Sequence, residues 1–298
     1  IYRRLAAVNP QVYEPDLAMT QNNLGLLYSD IRCYEDSEEM YLSAMEIRRR
    51  LAAANPQSYE PYLARTQNNL GNLYSDTQRY EDSEKMYLSA MEIRRRLAAV
   101  NPQVYEPGLA RTQNNLGNLY RDTQRYEESE EMCLSAMEIY RRLAAVNPQV
   151  YEPGLARTQN NLGNLYRDTQ RYEESEEMCL SAMEIYRRLA AVNPQVYEPG
   201  LARTQNNLGN LYRDTQRYEE SEEMYLSAME IYRRLAAANP QVYESGLART
   251  QYSLGCLYYN IQRYEESEEM YLSALEVYQR LTAVNPQAVS YTHLRAHE

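Results

Sequence analysis

A period of 46 residues governs this chain. The string Asn-Pro-Gln-Val-Tyr-Glu-Pro, or a close variant, starts at Asn9, Asn55, Asn101, Asn147, Asn193 and Asn239, and a stub returns at Asn285. Internal repetition at this spacing overrides the two-domain expectation that 298 residues would otherwise carry. The block 101–146 is identical to 147–192, and 193–238 differs from both only at Tyr225 and Ala238. Such near-copies point to tandem duplication.

The unit 101–146 serves as the type. Pro102 and Pro107 are expected to bracket a polar connector, with Pro107 in a first helical turn, where a missing N–H costs nothing. A first helix is expected from about Pro107 to Asp122. At roughly 100° per residue, Leu109, Gln113, Leu116 and Tyr120 share a face flanked by Gly117 and Leu119. The opposite face holds Arg111, Asn114, Asn115, Asn118, Arg121 and Asp122.

After a Thr-Gln-Arg link, a second helix is expected from about Tyr126 to Val146. Tyr126, Met132, Cys133, Ala136, Ile139, Tyr140, Leu143 and Val146 give it a wide apolar stripe. Glu127, Glu128, Glu130 and Glu131 crowd its first turns and Arg141 and Arg142 its last, which suits the helix dipole. No alternation of period two appears, so the fold class is all-α. Neither helix can bury its apolar face alone, so the hairpins must stack as a solenoid held by neighbour contacts.

The residues Leu116, Gly117, Tyr120, Tyr126, Ser129, Cys133, Ala136 and Ile139 resemble the tetratricopeptide pattern, and all six units carry it. The strings from Thr112 and Glu131 resemble the kinesin-light-chain subclass in particular. Departures are Gln113 where the pattern often has Trp, Ser129 where it has Ala, and a closing proline delayed to Pro148. The resemblance implies a right-handed α-solenoid over residues 1–288 and a concave groove, lined by the first helices, that receives a segment of a partner protein. On that reading the groove residues are the amides Asn69, Asn115, Asn161 and Asn207, followed by Asn72, Asn118, Asn164 and Asn210. Arg65, Arg111, Arg157 and Arg203 add carboxylate contacts. A carboxamide both donates and accepts, so a ladder of them can pair with peptide backbone. Leu26 replaces a ladder member in the first unit and Tyr252, Ser253 and Cys256 replace members in the sixth, so the central repeats carry the site.

Other functions find little support. A net charge of −11 lacks the basic footprint that phosphate backbones require, so no nucleic-acid partner is expected. No apolar run approaches the roughly 20 residues of a membrane span. No glycine-rich phosphate loop or nucleophile beside a base marks an enzyme, and neither cofactor nor metal is expected. Alternatives to a binding scaffold are the sensor arm of a larger enzyme or signalling protein, and self-association through uncapped ends. Cys33, Cys133, Cys179 and Cys256 follow no metal-ligand spacing and are expected to be buried free thiols, compatible with a reducing compartment such as the cytoplasm.

Residues 1–8 sit in the phase of a helix interior, since Ile1 matches Ile139. Residues 289–298 break the repeat and resemble translated sequencing-adapter DNA, which would make them, with His293 and His297, foreign to the native chain.

Overall fold

The computed structural model describes residues 2–284; the stub at 285–288 and the tail at 289–298 lie outside the described residues. Thirteen helices and no strand occur among the described residues. A short helix α1 (Tyr2–Val8) is followed by six hairpins. Their first helices are α2 (Pro10–Asp30), α4 (Pro56–Asp76), α6 (Pro102–Asp122), α8 (Pro148–Asp168), α10 (Pro194–Asp214) and α12 (Pro240–Asn260). The second helices are α3 (Tyr34–Ala54), α5 (Tyr80–Val100), α7 (Tyr126–Val146), α9 (Tyr172–Val192), α11 (Tyr218–Ala238) and α13 (Tyr264–Val284). The chain forms two compact units, residues 1–139 and 140–298.

The first helix begins one turn and a half earlier than the sequence suggests. Pro102, not Pro107, occupies the first turn, and Asn101 caps the helix by accepting from the Val104 N–H at 3.4 Å. The supposed polar connector is thus helical, and Asn101 alone separates α5 from α6. Pro107 inside the helix forfeits the bond to the Gln103 carbonyl. Gln103 is exposed, so water can serve that carbonyl. Each first helix closes through a left-handed residue, Arg32 after α2 and a glutamine after the other five: Gln124 has φ 59° and the Arg125 N–H reaches back to the Tyr120 carbonyl at 2.7 Å.

Within the two compact units α3, α5, α9 and α11 each pack on their own first helix and on the next one, so core layers are shared between neighbouring repeats. In the first unit Tyr41 and Met45 of α3 lock against Leu70, Leu73 and Tyr74 of α4. In the second, Tyr225 and Met229 of α11 meet Leu254, Leu257 and Tyr258 of α12. Full burial of one such side chain contributes about 1.5–3 kcal/mol, and the same contact recurs where Cys179 and Met183 of α9 meet Leu208, Leu211 and Tyr212 of α10. Tyr74, Tyr120, Tyr212 and Tyr258 add a polar staple: each hydroxyl donates to a glutamate of the preceding second helix at 2.8–2.9 Å, beneath a guanidinium 4.1–4.2 Å from the ring.

Glycine in the Leu-Gly step serves close packing. A Cβ on Gly209 would sit 2.6 Å from the Tyr225 ring, and one on Gly117 would sit 2.5 Å from Cys133 Sγ. The departures at Gln113 and Ser129 pair internally: Gln113 donates to Ser135 Oγ at 2.7 Å and Ser129 to the Gly117 carbonyl at 2.8 Å.

Four assignments are corrected. Val146 is 85% exposed, because it precedes the Asn-Pro corner where the chain turns outward. Asn114 is buried rather than on the polar face. Arg141 and Arg142 precede the last turn of α7. Their counterpart Arg96 pairs with Glu60 of the preceding first helix at 2.7 Å, so charge there serves a neighbouring helix. All four thiols are free, but only Cys133 and Cys179 are buried; Cys33 is exposed at a helix start and Cys256 is half-buried. Burial pushes the Cys133 and Cys179 thiols up to about 12, which leaves them unreactive.

Candidate peptide-binding groove

Within each compact unit, consecutive first helices touch: α2 meets α4 and α4 meets α6 in one, α8 meets α10 and α10 meets α12 in the other. Among the described residues α3 and α5 do not touch, nor do α9, α11 and α13. The first helices are therefore the tightly spaced layer of each unit, and the inner side of its curve.

The amides named from the sequence lie on this layer. Asn115 Nδ2 donates to Asn72 Oδ1 at 3.0 Å, and Asn69 Nδ2 to Asn22 Oδ1 at 3.4 Å. Asn72 Oδ1 also accepts from the Tyr87 hydroxyl at 2.7 Å, and Asn210 Oδ1 from Tyr225 at 2.7 Å. Asn118 and Asn164 stand opposite Cys133 and Cys179 in that phase and receive no hydroxyl. Asn118, Asn161, Asn164, Asn207 and Asn210 are half-buried, and Asn72 is exposed. Arg111 and Arg203 are exposed, while Arg65 and Arg157 are half-buried. Three of these residues hold a buried donor with no acceptor: Arg65 Nε, Arg157 Nε and Asn207 Nδ2.

A second, buried polar row was missed in the sequence. Asn22, Asn68, Asn114, Asn160 and Asn206 are buried, each one residue before a position of the groove row. Where the facing second helix supplies arginine, that row accepts: Arg48 Nη1 donates to Asn22 Oδ1 at 3.1 Å, to the Tyr62 carbonyl at 3.0 Å and to Thr66 Oγ1. Where it supplies tyrosine, the amide donates instead: Asn160 Nδ2 to Thr204 Oγ1 at 2.6 Å, and Asn206 Nδ2 to Thr250 Oγ1 at 2.7 Å. Tyrosine there also needs room, since a Cβ on Gly200 would lie 2.5 Å from the Tyr186 ring. The signal was legible in phase: Arg48 and Arg94 become Tyr140, Tyr186 and Tyr232.

Among the described residues no three His, Cys, Asp or Glu side chains gather as a metal-binding group, and no helix is long and apolar enough to cross a membrane.

Profiles described as tetratricopeptide repeat match residues 16–96 and 200–280, and a second profile of that description matches 109–147 and 155–193. The chain belongs to the tetratricopeptide repeat family. Among solved structures, this tetratricopeptide chain is similar to BtubC (BKLC) from P. vanneervenii, at 22% identity and TM-score 0.64 over 84% of this chain and 92% of that one. It is also similar to a putative kinesin light chain of Podosopora anserina with nearly identical TPR-like repeats, at 16% identity and TM-score 0.53 over 73% and 95%. A Rap protein complexed with competence and sporulation factor aligns at 14% identity and TM-score 0.62 over 94% and 77%. These likenesses establish a shared solenoid fold. No protein with a curated description matches the sequence.

Proposed function

We propose that the first-helix layer holds a segment of a partner protein, making the chain a protein-interaction scaffold. Tetratricopeptide stacking supports the scaffold role, and the Rap structure shows that a chain of similar fold is found in complex with a factor. The observation that carries the groove assignment is the set of unpaired donors Arg65 Nε, Arg157 Nε and Asn207 Nδ2. An unpaired buried donor costs about 1–3 kcal/mol. All three belong to half-buried side chains, so a rotation brings each donor to the surface, where a peptide carbonyl can accept from it. A peptide selected by display against the chain and carrying a photo-crosslinker should attach to 155–167 and 201–213. Attachment confined to the second helices would contradict the assignment.

A second reading, self-association, rests on the terminal hairpins. Leu27 is 52% exposed where its counterpart Leu73 is 2% exposed, and Leu275 is 50% exposed where Met229 is 5% exposed. Each surface matches one that packs against a neighbouring repeat inside the chain, so the two are complementary and can stack head to tail.

A further inference from the structure

Arg48 and Arg65 bring two guanidinium groups to one place with no acid between them. Arg48 is 3% exposed and donates to neutral acceptors: the Asn22 amide, the Tyr62 carbonyl and the Thr66 hydroxyl. Among the described residues Arg65 makes no ion pair, and its Nε is unpartnered. The Tyr62 ring joins them, with Arg65 Cζ 5.5 Å and Arg48 Cζ 5.8 Å from its centroid, and that ring is itself exposed. Burial, followed by the repulsion of Arg65, holds the Arg48 guanidinium down to about 10. Among the described residues no carboxylate forms an ion pair with either guanidinium.

We propose that Arg48, Arg65 and Tyr62 form a receptor for a dianionic phosphate monoester carried on the segment held by the first-helix layer. The inference rests on the groove reading above. Charge selects the ligand: a phosphate monoester near neutral pH carries about −1.5 to −2 and matches two guanidiniums, whereas a carboxylate answers only one. Arg65 and the Tyr62 hydroxyl supply the direct donors, and Arg48, behind them, supplies field rather than contact. The next junction keeps the buried arginine as Arg94 but has Gly108 in place of the exposed tyrosine, and the following ones lack both, with Tyr140 and Gly154, then Tyr186 and Gly200.

That replacement supplies a variant compatible with the fold. Arg48→Tyr with Tyr62→Gly rebuilds this junction in the form seen at Tyr186 and Gly200. Three fluorescein-labelled decapeptides of alternating Ala and Gln, with a central serine, phosphoserine or glutamate, are titrated by anisotropy into the parent and the double variant. The parent is expected to bind the phosphoserine peptide at least about tenfold tighter than the serine peptide, with inorganic phosphate abolishing the difference. In the double variant the preference disappears while affinity for the serine peptide and Tm stay unchanged. Equal binding of the serine and phosphoserine peptides by the parent, or a preference that survives the double substitution, overturns the receptor and leaves the groove standing. Equal preference for glutamate and phosphoserine reassigns the site to carboxylates, and so overturns the phosphate assignment. If inorganic phosphate binds the parent as tightly as the phosphoserine peptide does, the site takes free phosphate and the segment-borne source is overturned. No binding of any peptide to the parent overturns the receptor and the groove together.

Discussion

The Asn115 amide donates to the Asn72 carbonyl oxygen at 3.0 Å, across the step from one repeat to the next. The same oxygen receives the Tyr87 hydroxyl at 2.7 Å, so Asn72 is a structural acceptor as well as a surface amide. Asn118, one period on, faces a cysteine and has no such duty.

Asn72→Ala should therefore lower stability by about 1–3 kcal/mol, since it strands the Tyr87 hydroxyl, whereas Asn118→Ala should stay within about 0.5 kcal/mol of the parent. Urea unfolding of both variants decides it. Equal losses would show that the hydroxyl bond contributes nothing.

Over the Leu-Gly glycine lies a cysteine in the two central repeats, Cys133 and Cys179, and a tyrosine in the other four. Cys179→Tyr should be accepted above Gly163 and raise stability by about 1 kcal/mol, through a hydroxyl bond to Asn164 like that of Tyr225 to Asn210. Gly209→Ala should destabilise by about 1–3 kcal/mol, because its Cβ would meet the Tyr225 ring. Thermal melts that place the two substitutions in the reverse order would contradict the packing.

Alkali should loosen the staples. Burial first, and the partner glutamate second, push the Tyr74, Tyr120, Tyr212 and Tyr258 hydroxyls up to about 12 from an ordinary value of 10.0. A raised folded value means that the fold favours the protonated phenol. The stabilisation is complete below pH 10 and disappears as pH climbs towards 12. Tm should hold from pH 7 to 9 and fall steeply above 10, and Tyr258→Phe should flatten that fall. An identical slope in the variant would show that this staple does not titrate as argued.

Self-association should depend on the terminal leucines. Leu27→Glu or Leu275→Glu alone should shift the chain towards monomer in light scattering after gel filtration, because head-to-tail stacking needs both surfaces. A parent that is monomeric at high concentration would remove this reading.

The repeat and its all-α class were legible because periodicity survives any local ambiguity. The start of the first helix was not: Pro107 looked like a first-turn proline, and only the exposed Gln103 carbonyl explains why it can sit deeper in the helix. Phase alone placed Asn69, Asn115, Asn161 and Asn207 on one layer, but not the bond between Asn115 and Asn72, which depends on how closely α4 approaches α6. It likewise put Asn114 outside, since a helical wheel does not show that the neighbouring repeat covers the next position round. Arg48 was invisible as a site because its meaning comes from Arg65 and Tyr62 on another helix.

The central claim is that first-helix amides grip a partner segment, and one pair of side chains tests it most directly. Asn207 Nδ2 has no acceptor, and Asn164 receives no tyrosine hydroxyl, so Asn164→Ala with Asn207→Ala removes two groove amides without breaking a bond on which the fold depends. With a display-selected peptide measured by titration calorimetry, the account predicts at least about tenfold weaker binding, equivalent to about 1.4 kcal/mol, at unchanged helicity and Tm. Binding as tight as the parent's, in a variant that remains folded, would contradict it.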